Sequence, residues 1–327
     1  MRCASTSSYA MEAVCGSAAH DCGVAGDNLT SMSSNAPFGR LLTAMATAFH
    51  EDGSVDVDGT ARIAAHLVEH GSDGVVVSGT TGESPTTSVA EDGDILRAVH
   101  EAVGDRATVI AGVGTNATAH SVELAEQAAK VGVDGVLLVS PYYNKPGQVG
   151  LLHHFSTVAE ATDLPVMLYD VPGRTATLIE LSTYEAMRRY DHVTSVKDAS
   201  GLLARSAQLV DLGYTVYSGD DVATLGYLAY GGVGLVSVVA HAAGTQLAAM
   251  IDAWSRGDHA EALRIHTSLV PAFDAMMGVP NYGATTAKAA LELLGALDNR
   301  RVRGPLVALD DDEVAALRAG LAAAGLI

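Results

Sequence analysis

One lysine stands at the end of an apolar, β-branched run, where a charged side chain is costly to bury. Lys197 follows Val193-Thr-Ser-Val and precedes Asp198. A desolvated lysine near another cation has a lowered pKa, and its neutral amine can attack a carbonyl carbon to form a Schiff base. The spacing equally allows a strand-end lysine paired with Asp198 or Asp220, so both interpretations stay open.

Hydroxyl and cationic side chains follow other apolar runs. Tyr143 and Tyr169 end two neighbouring runs, where a phenol can shuttle protons or simply pack with one hydrogen bond. The turn Gly79-Thr-Thr-Gly-Glu offers backbone N–H donors that suit a carboxylate, although it is also an ordinary strand–helix turn. Arg174 follows a Pro-Gly pair, and its guanidinium could bind a second carboxylate or form a surface salt bridge.

Eight short apolar runs must position these side chains, and amphipathic stretches separate them. Uninterrupted apolar strands are typical of parallel sheets that are buried on both faces. The alternation predicts an α/β fold, a closed (β/α)8 TIM barrel, with an open doubly wound sheet as the alternative. The active site of such a barrel lies at the C-terminal ends of its strands. The predicted strands are Leu41–Ala48, Gly74–Ser78, Thr108–Gly112, Gly135–Ser140, Pro165–Tyr169, Val193–Lys197, Thr215–Ser218 and Gly234–Val239.

The pattern becomes purely helical after the eighth run. We therefore predict that the barrel covers residues 32–256 and that a C-terminal helical appendage covers residues 257–327. Residues 1–31 are rich in Ser, Ala and Gly, and we interpret them as a flexible N-terminal extension. The predicted helices of this last part of the chain are Gln246–Arg256, His259–Phe273, Thr286–Leu294 and Asp312–Ala324.

The composition argues against several classes of partner. The net charge of −19 argues against a nucleic-acid partner, which would need a basic surface. No apolar run reaches the roughly 18 residues of a membrane helix, so we expect no membrane partner. Cys3, Cys15 and Cys22 form no disulfide framework and are compatible with a cytoplasmic location.

No cofactor is expected from the remaining motifs. The histidines and cysteines lack the spacing of a metal site, so we expect no metal. Gly112-x-Gly-x-x-Ala resembles a dinucleotide-binding motif, which would make the protein an NAD-dependent oxidoreductase. That alternative is disfavoured, because the acidic residue at the required distance, Asp134, precedes its strand instead of ending it.

Five motifs, in order and at matching spacing, resemble the dihydrodipicolinate synthase (4-hydroxy-tetrahydrodipicolinate synthase) family. Members of this family are class I pyruvate-dependent aldolases and lyases. The resemblance extends from about Phe38 to the C-terminus. The motifs are Gly79-Thr-Thr-Gly-Glu-Ser, Pro141-Tyr-Tyr-Asn-Lys-Pro, Tyr169-Asp-Val-Pro-Gly-Arg-Thr, Val196-Lys-Asp-Ala-Ser-Gly and Ser218-Gly-Asp-Asp.

The resemblance implies a Schiff-base condensation of pyruvate with L-aspartate 4-semialdehyde, a step of the diaminopimelate route to lysine. It also implies a homotetramer, a dimer of dimers, in which Tyr143 reaches the site of a neighbouring subunit, and it implies no metal or organic cofactor. The roles that it implies are Lys197 as the Schiff-base lysine, Tyr169 as the proton donor and acceptor, Thr80 and Tyr143 as proton-relay partners, Thr81 and the backbone at Val236 as pyruvate contacts, and Arg174 as the group that holds the semialdehyde carboxylate.

Related enzymes share the barrel and the lysine, notably N-acetylneuraminate lyase and the keto-deoxy sugar-acid aldolases, and these are the alternative. The sialic-acid enzyme usually has Ser-Thr in place of Thr80-Thr81 and lacks the Pro-Gly-Arg pattern. Arg174 together with Tyr143 therefore favours the synthase. Asp170 stands where the family commonly has Asn, beside the tyrosine that the resemblance marks as catalytic.

Little feedback inhibition by lysine is expected. Lysine-regulated members place histidines and a glutamate around a cleft at a subunit contact. The matching positions here hold Val89, Asp92 and His120, although Asn116 and Tyr142 remain. Without the glutamate, the ammonium group of lysine loses a charged partner.

Overall fold

The structure is a computed structural model, and it describes residues 36–327. The interpretation of residues 1–31 as a flexible extension, and the three cysteines within it, lie outside the described residues.

Eight parallel strands form a closed barrel in chain order, and the last strand pairs with the first. The predicted (β/α)8 barrel is confirmed, and the open doubly wound alternative is wrong. Each strand begins within one residue of its predicted start. The strands are β1 (Leu41–Ala44), β2 (Gly74–Val77), β3 (Thr108–Gly112), β4 (Gly135–Val139), β5 (Val166–Asp170), β6 (Val193–Asp198), β7 (Thr215–Ser218) and β8 (Gly234–Ser237).

Helices cover the outside of the barrel and then continue beyond it. A single turn of 3-10 helix, Ser84–Thr86, follows β2. The α-helices are α1 (Val57–Glu69), α2 (Val89–Val103), α3 (Thr118–Val131), α4 (Gln148–Ala159), α5 (Pro172–Thr175), α6 (Leu181–Met187), α7 (Leu203–Asp211), α8 (Thr224–Ala229), α9 (Ala240–Ser255), α10 (His259–Met277), α11 (Ala284–Leu293) and α12 (Asp311–Ala323).

The hydrophobic residues that the structure describes form three buried clusters. One lies inside the barrel, where side chains such as Val76, Ile110 and Met167 fill the interior. The largest lies between the strands and the surrounding helices, because the apolar strands bury their outer face as well. The third joins α9–α12 to β1 and β8. The C-terminal helices therefore pack onto the barrel, and the predicted boundary at residues 256/257 stays a prediction.

The first strand ends four residues earlier than predicted, because side chains replace the neighbouring strand as hydrogen-bond partners. The backbone N–H of Ala46 donates to His241 Nε2 (3.1 Å), and that of Ala48 donates to Thr60 Oγ1 (2.9 Å). Burial lowers the pKa of His241 to about 4, which keeps this nitrogen available as an acceptor. The chain after β1 is therefore fixed at the C-terminal mouth of the barrel.

The acidic run Asp310-Asp311-Asp312 forms the start of the last helix, α12. Asp310 is its N-cap, and its side chain accepts a hydrogen bond from the backbone N–H of Glu313 (2.9 Å). Acidic residues are favourable there, because the N-terminus of a helix carries a partial positive charge.

Candidate active site

Lys197 lies at the end of β6 with its side chain inside the barrel. Its neighbours in register are Tyr169 on β5 and Tyr217 on β7, and only 4% of the lysine is exposed. Burial lowers the pKa of Lys197 to about 8, with Arg174 lowering it further and Asp221 opposing the shift. Because an ordinary lysine titrates near 10.4, this amine is neutral far more often at physiological pH.

The alternative in which Lys197 pairs with Asp198 or Asp220 is not observed. Within residues 36–327, no carboxylate lies within salt-bridge distance of its Nζ. Asp198 accepts from the Ser200 amide (2.8 Å), and Asp220 accepts from the amides of the two residues just before α8, including that of Val222 (3.0 Å). Among the described residues the lysine therefore has no neutralising partner, which suits a nucleophile better than a structural ion pair.

Tyr169 lies beside the lysine on the neighbouring strand. The Nζ of Lys197 is 4.3 Å from the centroid of its ring. Burial raises the pKa of Tyr169 to about 12, while the positive charge of Arg174 opposes this shift. The phenol therefore keeps its proton at neutral pH and can donate it to an oxygen bound near the amine.

The turn after β2 brings two threonines to the mouth of the barrel. Thr81 is buried, whereas Thr80 is exposed towards the cavity. Glu83, at the end of the turn, has a φ of 59°, in the left-handed region that favours glycine. Its buried carboxylate accepts from Lys288 Nζ at 2.5 Å and from the Arg303 amide at 2.8 Å, and these contacts hold the strained backbone.

Arg174 lies on the short helix α5, which follows β5. Among the described residues no carboxylate lies within 4.0 Å of its guanidinium, so the predicted alternative of a surface salt bridge is not observed. Its Cζ lies 4.8 Å from the centroid of the Tyr282 ring. The N–H groups at the edge of the guanidinium remain available for an anion.

These side chains share one cavity of about 650 Å³ at the C-terminal ends of the strands. This size is typical of a site for small molecules. Five of the seven predicted site residues line it: Thr80, Thr81, Tyr169, Arg174 and Lys197.

Two predicted site residues do not line the cavity. Tyr143 is 89% exposed on the surface of the chain, with a φ of 73°. The side chain of Val236 is buried in the barrel interior on β8. For Val236 the prediction concerns only its backbone. Val238, which follows the end of β8, does line the cavity.

A buried carboxylate near the lysine was not predicted from the sequence. Asp221 accepts hydrogen bonds from the Ser237 hydroxyl and from the amides of Val238 (3.0 Å) and Val239 (3.3 Å). It thereby fastens the loop after β7 to the end of β8. The signal was present, because Asp221 belongs to the Ser218-Gly-Asp-Asp motif that ends a strand.

Functional residues of the C-terminal region were also not predicted. The site was predicted from the residues that follow strands, and these residues follow no strand. Tyr282 lines the cavity from the segment between α10 and α11. Lys288 on α11 is fully buried, and burial lowers its pKa to about 8. A lysine within an apolar helical stretch was the one available signal.

Asp170, which departs from the common Asn, does not face the cavity. Its side chain is fully buried on the outer side of β5, where Arg205 Nη1 is 3.2 Å from Oδ2. Burial raises the pKa of this carboxyl to about 7, although Arg205 opposes the shift. The guanidinium thus gives a buried acid the charged partner that it needs at this position.

The described residues contain neither a metal-binding cluster nor a membrane-spanning helix. Within residues 36–327, no group of three or more His, Cys, Asp or Glu side chains could hold a metal ion. No helix in that range has both the length and the hydropathy needed to cross a membrane.

Comparisons with known proteins agree on one family. The family model described as the dihydrodipicolinate synthetase family matches residues 37–324. The chain is 54% identical to a 4-hydroxy-tetrahydrodipicolinate synthase of Acidothermus cellulolyticus, over 89% of this chain and 94% of the relative.

Solved structures give the same result. One is the synthase of Cyanidioschyzon merolae with lysine bound, at a TM-score of 0.85 and 39% identity, covering 89% of this chain and 99% of the other. Another is the chloride-inhibited dihydrodipicolinate synthase of Acinetobacter baumannii complexed with pyruvate, at a TM-score of 0.84 and 31% identity, covering 89% of this chain and 100% of the other.

Proposed function

The chain belongs to the dihydrodipicolinate synthetase family, and on that premise we propose that it condenses pyruvate with L-aspartate 4-semialdehyde. This is the 4-hydroxy-tetrahydrodipicolinate synthase reaction (EC 4.3.3.7) of the diaminopimelate route to lysine. The observation that carries the proposal is Lys197, a buried lysine with a lowered pKa and no carboxylate partner in the described chain, beside a protonated tyrosine.

Lys197 is the nucleophile of the first step. Its neutral amine attacks the ketone carbon of pyruvate, and the carbonyl oxygen takes up a proton to give a carbinolamine. Loss of this oxygen as water leaves a Schiff base. Tyr169 is positioned beside the amine to donate and recover the protons of these steps, with Thr80 as its relay partner.

Pyruvate is oriented by its carboxylate. We assign Thr81 and the backbone at Val236 to this contact. The support for Thr81 is its place in the turn that lines the cavity, and the support for Val236 is its place near the end of β8, on the same mouth. Backbone and hydroxyl donors can bind a small anion without a basic patch, so the net charge of −19 does not oppose this.

We propose that Tyr143 completes the proton relay of a neighbouring subunit in a homotetramer, a dimer of dimers. Tyr143 is 89% exposed on its own chain, and its φ of 73° lies in the left-handed region that L side chains rarely adopt. An exposed side chain is available to a partner, and residues with such a strained backbone cluster at functional sites. A cytoplasmic location fits a biosynthetic enzyme of this kind.

Arg174 holds the carboxylate of the second substrate. Because no described carboxylate neutralises it, its guanidinium can form a bidentate pair with the semialdehyde. Loss of a methyl proton converts the pyruvyl Schiff base into an enamine, whose carbon attacks the aldehyde. The amino group of the semialdehyde then attacks the imine carbon, which closes the ring and releases the Lys197 amine. These steps require no metal or organic cofactor.

The test of the proposal is a covalent trap. Pyruvate and borohydride should add one reduced pyruvate to Lys197, as located by peptide mass spectrometry. Lys197→Arg is the matched control, since it keeps the charge but should give no adduct. An adduct on the other buried lysine, Lys288, or no adduct at all, contradicts the mechanism.

Substrate specificity is tested by turnover. The purified enzyme should consume pyruvate with L-aspartate 4-semialdehyde and should cleave neither N-acetylneuraminate nor keto-deoxy sugar acids at a comparable kcat/KM. A preference for either sugar acid would assign the same Schiff-base chemistry to one of the alternative aldolases.

A further inference from the structure

An aromatic side chain from outside the barrel lies against Arg174 of the cavity. Tyr282 lies between α10 and α11, about a hundred residues after Arg174 in the sequence. The guanidinium carbon is 4.8 Å from the centroid of the Tyr282 ring. Both residues line the cavity that contains Lys197.

The segment that carries Tyr282 is held in place on both sides. Gly283 has a φ of 102°, which glycine adopts without strain, and its amide donates to Thr286 Oγ1 (3.1 Å). The Asn281 side chain donates to the Val307 carbonyl (2.8 Å). A Cβ at position 283 would lie 3.8 Å from Arg174 Nη2, so the guanidinium lies against this turn as well.

We propose that Tyr282 is a positioning and specificity-determining residue, which holds the Arg174 guanidinium towards the carboxylate of the second substrate. The inference rests on the proposed function, because it assigns the role to the semialdehyde half of the reaction. In this arrangement the C-terminal helical region supplies part of the second-substrate site, while the barrel supplies the Schiff-base site.

The geometry of a guanidinium explains why an aromatic ring suits this task. A ring that covers one flat face attracts the cation through its π electrons, and it leaves the N–H groups at the edge free for a bidentate carboxylate. A carboxylate partner in the same place would compete with the substrate. Arg174 is exposed, so without the ring its long side chain would sample many rotamers.

Steady-state kinetics of Tyr282 variants test the proposal. Tyr282→Leu removes the π face, and it should raise the KM for the semialdehyde about two- to fivefold. The KM for pyruvate and the borohydride adduct on Lys197 should not change. Tyr282→Phe keeps the ring and should restore the wild-type KM. Tyr230→Leu is the matched control, because Tyr230 is also a partly exposed tyrosine (44%) and does not line the cavity.

The Arg174→Ala background shows whether Tyr282 acts through Arg174. There, Tyr282→Leu should raise the KM for the semialdehyde no further. An additional rise in that background would overturn the proposal, and so would a Tyr282→Phe variant as impaired as Tyr282→Leu. A wild-type enzyme that forms no pyruvate adduct would instead refute the proposed function itself.

Discussion

Lys288→Met should destabilise the protein strongly, because it leaves a buried carboxylate without its cation. The side chains of Lys288 and Glu83 are both fully buried, and their charged atoms are 2.5 Å apart. Lys288 also donates to the Arg301 carbonyl at 2.7 Å and lies 4.1 Å from the centroid of the Phe49 ring. After the substitution, the hydrogen bond from the Arg303 amide would be the main contact left to Glu83.

The magnitude follows from this burial. Removing one partner of a fully buried ion pair costs about 3–5 kcal/mol in the free energy of unfolding. Methionine retains much of the apolar stem of lysine, so most of that loss reflects the unpaired charge rather than a cavity. In the double variant Glu83→Gln/Lys288→Met no such charge remains. The two effects should therefore be less than additive, with a coupling of about 2 kcal/mol.

Equilibrium urea denaturation measures both quantities. Arg264→Met is the matched control, since the Arg264–Glu261 pair is solvent-exposed and should leave the midpoint unchanged. A Lys288→Met variant that loses less than about 1 kcal/mol, or strictly additive effects in the double variant, would contradict the proposed contribution of the ion pair.

The ion pair should also affect the site, because Glu83 follows the turn that carries Thr81. Loss of the pair relaxes a backbone with a φ of 59°. In the folded fraction of Lys288→Met we therefore expect a higher KM for pyruvate. Arg264→Met should leave that KM unchanged.

Three further predictions concern the reaction and its regulation. The rate of borohydride trapping of pyruvate should rise with pH up to about 8, because protonated Lys197 cannot attack the ketone. Below pH 8 this rate should fall about tenfold per pH unit. A trapping rate independent of pH between 6 and 8 would contradict this. Tyr143→Phe should lower kcat by about 10²-fold or more while pyruvate trapping persists, and an unchanged kcat would exclude Tyr143 from the relay. Millimolar lysine should inhibit turnover little, since Val89, Asp92 and His120 replace the expected ligands, and strong inhibition would show that other groups bind it.

The sequence predicted the barrel and most of its mouth, because both follow from local patterns. Continuous apolar runs identified the strands, and parallel strands of a closed barrel end at the same edge. Side chains that end different runs, such as Lys197 and Tyr169, could therefore be placed together without any knowledge of their distances. The structure adds that the two side chains are neighbours in register.

Contacts between distant segments could not be predicted in this way. Glu83 and Lys288 are separated by 205 residues, and the helical period that places Lys288 on a face of α11 does not say what covers that face. Tyr282 lies in a turn after α10, where no periodic pattern applies. The contributions of the C-terminal region to the site were missed for this reason.

Asp170 shows how a local rule and a tertiary contact combine. Successive residues of a strand point to opposite faces, so an inward Tyr169 requires an outward Asp170, which the sequence alone implies. The chain then has a buried acid between the barrel and its helices, where an isolated charge is unfavourable. Only the structure reveals that Arg205, on α7, supplies the compensating charge at 3.2 Å. The acid at this position therefore places a buried ion pair behind the strand that carries Tyr169, while neither Asp170 nor Arg205 lines the cavity in front of it.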